Sequence, residues 1–255
     1  MFNIRYIYDG SLDGMLCCVA QWMQDGVVPA DIVAEQVMQP TFFEERYILT
    51  EAERAQSARS AVCRKISAQA MDMIGQAMLC AVDNKERLIL DFVRLGFHYG
   101  ARVTALLGNA VVDAMHKAVQ GLRREAHQYL GFVRFSDQGG ALCAVIEPKN
   151  AVLPLIAEHF CKRFPRERFM IYDQTHGQAL LHEAGKSRLV ALEGWTPEAA
   201  GKQEQQYRAL WKLFYDTVTV SERENPRCRM SHMPKRYWNH LTEMQMQPDS
   251  FSLPA

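Results

Sequence analysis

The sequence predicts an α+β protein, with a helical N-terminal half, a small and mostly antiparallel sheet, and C-terminal helices packed on it. Three observations carry that prediction. Residues 51–130 contain no proline and repeat apolar residues at helical spacing. After Gly131 the text changes to short runs of β-branched and aromatic residues punctuated by glycine. The 255 residues are 48% hydrophobic and 23% charged, a composition that supplies a core and excludes a disordered chain. We divide the chain into a mostly helical region, 1–82, and an α+β domain, 83–255.

Taken in order, residues 4–8 (Ile-Arg-Tyr-Ile-Tyr) form a β-prone run that Asp9-Gly10 ends as a turn. Ser11 or Asp9 then caps a helix to Gln24, with Leu12, Met15, Leu16, Val19 and Met23 on one face. Residues 43–49 read as an extended connector. Thr50 and Glu53 have the spacing of a capping box, in which each side chain bonds the other's backbone amide. Three or four helices follow, broken near Asp83-Asn84 and at Gly100. Residues 132–135 and 141–146 read as strands across Gly139-Gly140. Asn150 is placed to cap a helix to Phe164, with Pro154 tolerated in its first turn. Residues 169–172, 178–181 and 187–192 supply three more strands. Thr196-Pro197-Glu198 has the form of a helix start. The stripe Tyr207, Leu210, Trp211, Phe214 and Val218 that follows is expected to be core, and Pro234 to open a last short helix through Met244.

Bulk charge and cysteine usage bound the function. Lys plus Arg and Asp plus Glu number 29 each, so affinity for a polyanion must come from a local patch. The seven cysteines are odd in number, scattered and never spaced C-x-x-C. That suits free thiols in a reducing compartment and a cytoplasmic protein. No signal peptide and no membrane-length apolar run stands in the text. Nothing matches a phosphate-binding loop, a dinucleotide fingerprint, a serine elbow or a zinc ribbon, and no metal or cofactor is expected.

The strongest local feature spans residues 223–240. It holds Arg223, Arg227, Arg229, Lys235 and Arg236 against Glu224 alone, a net charge of +4, interleaved with Tyr237 and Trp238. Guanidinium groups fork onto phosphate oxygens, and an aromatic ring stacks on an unpaired base. Arg223, Arg229, Lys235 and Arg236 are assigned to phosphates, Tyr237 or Trp238 to stacking, and Asn225 to hydrogen-bonding readout. Arg134 and Arg163 would extend the track across the sheet. The bland alternative is a solvated helix end with both aromatics in the core. For proton transfer, Asp173 and His176 at a hairpin turn, with His159 nearby in sequence, are the candidates. Turn geometry alone also explains Asp173. Cys228 and His232 lie four apart, but two ligands do not make a metal site.

Several segments together resemble the bacterial "probable DNA metabolism protein" family, whose C-terminal part is domain of unknown function 4130. They are Tyr8-Asp9-Gly10-Ser11-Leu12-Asp13-Gly14, the Gly131 to Phe135 run, His159-Phe160, Arg163-Phe164, Ile171-Tyr172-Asp173, Trp211 with Phe214-Tyr215, Arg223-Glu224-Asn225-Pro226, and Met233 through Trp238. The resemblance implies partnership with DNA and with a radical-SAM DNA-modification or repair protein. Some longer relatives carry a uracil-DNA-glycosylase-like domain behind this region. This chain stops at Ala255, so glycosylase chemistry is not carried over. The expectation is a DNA-binding accessory protein. The alternatives are an enzyme acting on a nucleobase or nucleotide around Asp173, His159 and Arg134, or a scaffold for an acidic partner protein.

Overall fold

A computed structural model of the chain describes residues 4–37, 40–218 and 225–245. The fold is mixed α and β, as the sequence predicts, in two compact units, Met1–Leu122 and Arg123–Ala255. The division falls inside a helix.

The first unit is built around strand β1 (Ile4–Tyr8), all five residues of which are buried. Helix α1 (Leu12–Asp25) follows, capped by the Ser11 hydroxyl, which accepts from the Gly14 amide at 2.9 Å. It ends at Gly26, whose positive φ of 69° turns the chain and lets its amide bond the Trp22 carbonyl. Strands β2 (Asp31–Ala34) and β3 (Glu44–Tyr47) both pair parallel to β1, in the order β2-β1-β3. Parallel strands joined through a crossover helix must be covered on both faces, which accounts for the burial of β1. The sequence reading assigned one strand here and an extended connector at 43–49. Strands β2 and β3 escape an apolar-alternation test because each is only four residues long, and β3 is largely polar, with Glu44, Glu45 and Tyr47 exposed. Main-chain pairing to β1 defines them.

Helices α2 (Ala52–Lys65), α3 (Ala68–Met78) and α4 (Lys85–Tyr99) complete this core, with a 3₁₀ turn at Gly100–Ala105. The expected Thr50–Glu53 box does not form. Glu51 takes the cap position without a side-chain bond, and the Thr50 hydroxyl serves Asp9 instead. Close approach is written into Gly96 of α4, where a methyl carbon would lie 2.3 Å from Cδ1 and 2.9 Å from Cγ1 of Ile66.

Helix α5 (Ala110–Phe132) begins in the first unit and ends in the second. There follow β4 (Ser136–Asp137), β5 (Leu142–Ile146), α6 (Leu153–Arg163), β6 (Phe169–Asp173), β7 (Gln178–Glu183) and β8 (Lys186–Ala191). They form one sheet in that strand order, antiparallel except for the β5–β6 pair that α6 connects. The strand expected at 132–135 is absent. Phe132 completes α5 against Tyr237, and Phe135 plugs an aromatic cluster of Phe160, Phe164 and Phe169. Asn150 does not cap α6. Its amide and side chain both donate to Glu125.

Helix α7 (Lys202–Val218) starts six residues later than its Thr196 signal. The main chain at Glu198 is satisfied by Gln138, whose side chain both donates to and accepts from it. The stripe expected to be core is open: Tyr207, Leu210, Trp211, Phe214 and Val218 are 41–59% exposed. Their spacing is helical, but among the described residues no element covers them fully. The chain closes with α8 (Pro226–His232), a 3₁₀ turn at Lys235–His240, and α9 (Thr242–Gln245). No helix among the described residues is long and apolar enough to cross a membrane.

Changing Gly96 to Ala is expected to destabilise the fold by about 1–3 kcal/mol, because three atoms of Ile66 block the new methyl and one rotation cannot clear them. Urea unfolding measures this. In the Gly96→Ala background, a further Ile66→Ala change should cost less than it does alone.

Candidate nucleic-acid interface

The basic C-terminal segment is held by two buried carboxylates. Glu125 of α5 is 3% exposed. One oxygen accepts from the Lys149 amide at 3.0 Å, and the other from the Asn150 amide and side chain at 2.9 and 2.6 Å. Arg236 completes the set, with its guanidinium 3.4 Å from Glu125. Glu243 of α9 is 4% exposed and receives two bonds from Arg134, at 2.7 and 3.2 Å, and one from the Trp211 indole at 3.0 Å. The arrangement is reciprocal. The α5 side supplies an acid for an arginine near the C-terminus, and the C-terminal side supplies an acid for an arginine just after α5.

Burial pushes the Glu243 carboxyl up, but hydrogen bonds from Arg134, its own amide and Trp211 overcome this and hold it below the ordinary glutamate value. Tyr237 is buried beneath the segment, 3% exposed, with its hydroxyl donating to Gln128 at 2.6 Å. Arg236 also donates to that hydroxyl. The Tyr237 ring packs edge-on against Tyr129 at 5.1 Å. Burial raises its phenol above the ordinary value, with Arg236 opposing.

These anchors sort the predicted site residues. Arg223 lies outside the described residues. Asn225 spends its side-chain oxygen capping α8, accepting from the Cys228 amide at 3.0 Å. Arg236 and Arg134 are engaged internally by Glu125 and Glu243, although Arg236 stays partly exposed. Tyr237 presents no open face for a base, being core. Trp238 is half-buried with its indole N–H on the Met233 carbonyl at 3.0 Å. Arg229 and Lys235, both exposed, place their charges 5.7 and 5.8 Å from the Trp238 ring centre. Neither has an ion-pair partner among the described residues, nor does exposed Arg227, which the sequence reading left off the list. Asn225, Arg229, Lys235 and Trp238 therefore gather on one short stretch. Arg163 ends α6 elsewhere, exposed, with its guanidinium 5.7 Å from the Phe164 ring.

Of the proton-transfer candidates, Asp173 and His176 meet each other, whereas His159 and Arg134 make their contacts elsewhere. Asp173 is 1% exposed and closes its own turn, one oxygen accepting from the His176 amide at 3.1 Å and the other 2.7 Å from His176 Nδ1. His159 is exposed on α6, with its ring edge-on to Phe160 at 5.1 Å. Arg134 faces Glu243 and the Gly131 carbonyl. A site needing Asp173 free to meet a base is not what these bonds provide. Among the described residues, no group of three or more His, Cys, Asp or Glu is placed to hold a metal ion.

Sequence reasoning missed both carboxylates. A signal existed for Glu125, which falls on the apolar face of α5 with Leu122, Ala126 and Tyr129, all buried. An acid on a buried stripe calls for a partner.

Comparison with known proteins adds a family. A family described as a domain of unknown function, DUF4130, matches residues 83–243. That match begins within the first compact unit and takes in the five-stranded sheet and the basic segment. No curated protein matches. Among solved structures, a pGpG-specific phosphodiesterase, PggH, from Vibrio cholerae is similar at 10% identity and a TM-score of 0.32, over 72% of this chain and 84% of that one. A likeness that weak carries no argument.

Glu243 should make stability fall in acid. Its carboxyl is depressed in the fold, so its contribution is complete above the unfolded value of about 4.3 and is lost as pH falls through the folded value. Urea midpoints measured between about pH 3 and pH 7 should decline below about pH 4.5. Glu243→Gln should lower stability at neutral pH and flatten that decline.

Proposed function

We propose, from the premise that the chain belongs to the DUF4130 family, that it is a nucleic-acid-binding accessory protein of DNA metabolism. The observation that carries this reading is the pairing of Trp238 with two cations, Arg229 and Lys235, on a segment with no acid between residues 225 and 240. A charge resting near an indole ring is held weakly, by about 0.5–1 kcal/mol at an exposed site. It can exchange the ring for a phosphate, while the ring turns to a base. Arg227 adds a third cation. In this reading Arg236 contributes field rather than contact, because Glu125 holds it. Asn225 positions α8, and Arg134 anchors α9. The notional extension through Arg163 adds charge beyond the segment.

The binding reaction follows from elementary electrostatics. Each phosphate neutralised releases counterions, so affinity falls with salt in proportion to the number of contacts. Stacking on Trp238 requires an unpaired base and favours single strands or frayed ends over a closed duplex. The proposed partner is the radical-SAM DNA-modification protein to which the family resemblance points.

Fluorescence anisotropy with single- and double-stranded oligonucleotides at two salt concentrations tests the reading. The Arg229→Ala, Lys235→Ala pair should weaken duplex binding and reduce the salt slope by about 1.8, two phosphates' worth. Trp238→Ala should cost about 1–3 kcal/mol with single strands and less with duplex. Unchanged affinity and slope in the double variant would remove this segment from any nucleic-acid role. For the partner, co-purification that survives nuclease treatment marks direct association, and loss of it marks bridging by DNA.

A further inference from the structure

A second feature of the Arg123–Ala255 unit is unrelated to Trp238. Residues paired across a sheet share a face, and the register makes Cys143, Met170, Leu181 and Arg188 one continuous row over four strands. None of the four is buried. The next row on that face, Val145, Tyr172, Ala179 and Val190, is better covered, with Trp195 edge-on to Tyr172 at 5.5 Å. Half of the face is closed and half lies open. The open half forms a concavity of about 500 Å³, within the range of small-ligand sites, roughly 300–1,000 Å³.

Its floor and rim differ in chemistry. Cys143, Met170 and Leu181 make an apolar, partly sulfur-lined floor. Arg168, Lys186 and Arg188 stand around it, all exposed, with Glu183 the one acid of the lining. Glu183 is taken by Arg168 at 3.0 Å. Lys186 and Arg188 have no ion pair among the described residues. A ligand that satisfies both halves has a flat, polarisable ring for the floor, where thioether sulfur meets aromatic edges favourably, and an anionic end for the two unpaired cations. We infer that this sheet face binds a nucleoside monophosphate unit, with the base over Met170 and Leu181 and the phosphate between Lys186 and Arg188. The unit is either a free mononucleotide or the phosphorylated end of a strand.

Cys143 in the floor is a built-in reporter. The full chain is treated with methyl methanethiosulfonate at mildly alkaline pH, and peptide mass spectrometry follows Cys143 separately from exposed Cys63 and Cys228. Near-saturating dAMP should slow Cys143 labelling about tenfold, in proportion to site occupancy, and leave Cys63 unchanged. Inorganic phosphate should not slow it, since it does not cover the floor. Lys186→Glu with Arg188→Glu should abolish protection while retaining the wild-type thermal midpoint within about 3 °C. Arg229→Ala with Lys235→Ala should leave protection intact, which separates this site from the Trp238 segment. Protection by a 5′-phosphorylated oligonucleotide but not by dAMP assigns the site to a strand end. Absence of protection by either, or equal protection by unphosphorylated deoxyadenosine, overturns the inference.

Discussion

Two carboxylates out of water, Glu125 and Glu243, are the constraint from which the second unit's surface follows. Removing an ionised carboxylate from water is expensive unless charge and hydrogen bonds replace the lost solvent. Glu125 obtains two main-chain amides, an amide side chain and Arg236, and Glu243 obtains Arg134 and the Trp211 indole. A partner absent from either set leaves a buried charge short of bonds, so the C-terminal turns cannot drift from α5 cheaply. Removing one partner from such a pair leaves an uncompensated buried charge. The 3₁₀ turn that carries Lys235 and Trp238 is held in this way at Arg236, and through the Tyr237 hydroxyl on Gln128.

This division of labour separates cations that look equivalent in the sequence. Arg236 and Lys235 are neighbours, yet one is drawn toward Glu125 and the other stands over Trp238. Arg134 and Arg229 likewise differ in task. A charge count along the chain sums all of them, whereas a phosphate meets only those with no internal partner. The whole-chain balance of zero is compatible with a local positive surface, because the acid-free run of cations between residues 225 and 240 is matched by acids elsewhere in the chain.

Legibility followed the physics of each element. Helix α1 was readable because its cap, its apolar spacing and its closing glycine agree. Strands β5 to β8 were readable because each holds a short apolar run beside turn signals. Strands β2 and β3 were not, since pairing to β1 is a long-range event that leaves little local trace. The Thr196 helix start failed for a similar reason: Gln138, far away in sequence, takes the main-chain groups at Glu198. In the candidate site, the basic segment was visible from composition, but which cation faces solvent depended on two acids, of which Glu125 alone leaves a trace in the linear text, as an acid on an apolar helix stripe. The aromatic stripe on α7 misled because helical periodicity reports amphipathicity and not what lies against the apolar side.

The position of β8 at the margin of its sheet has a colloidal consequence. A marginal strand offers one row of unpaired amides and carbonyls, the template on which a second chain could extend the sheet without limit. Lys186 and Arg188 sit on that strand with their charges in solvent. Docking another strand there would strip water from both and set them against the same cations of the incoming copy. Charged residues at the margin of a sheet are a general means of blunting such an edge.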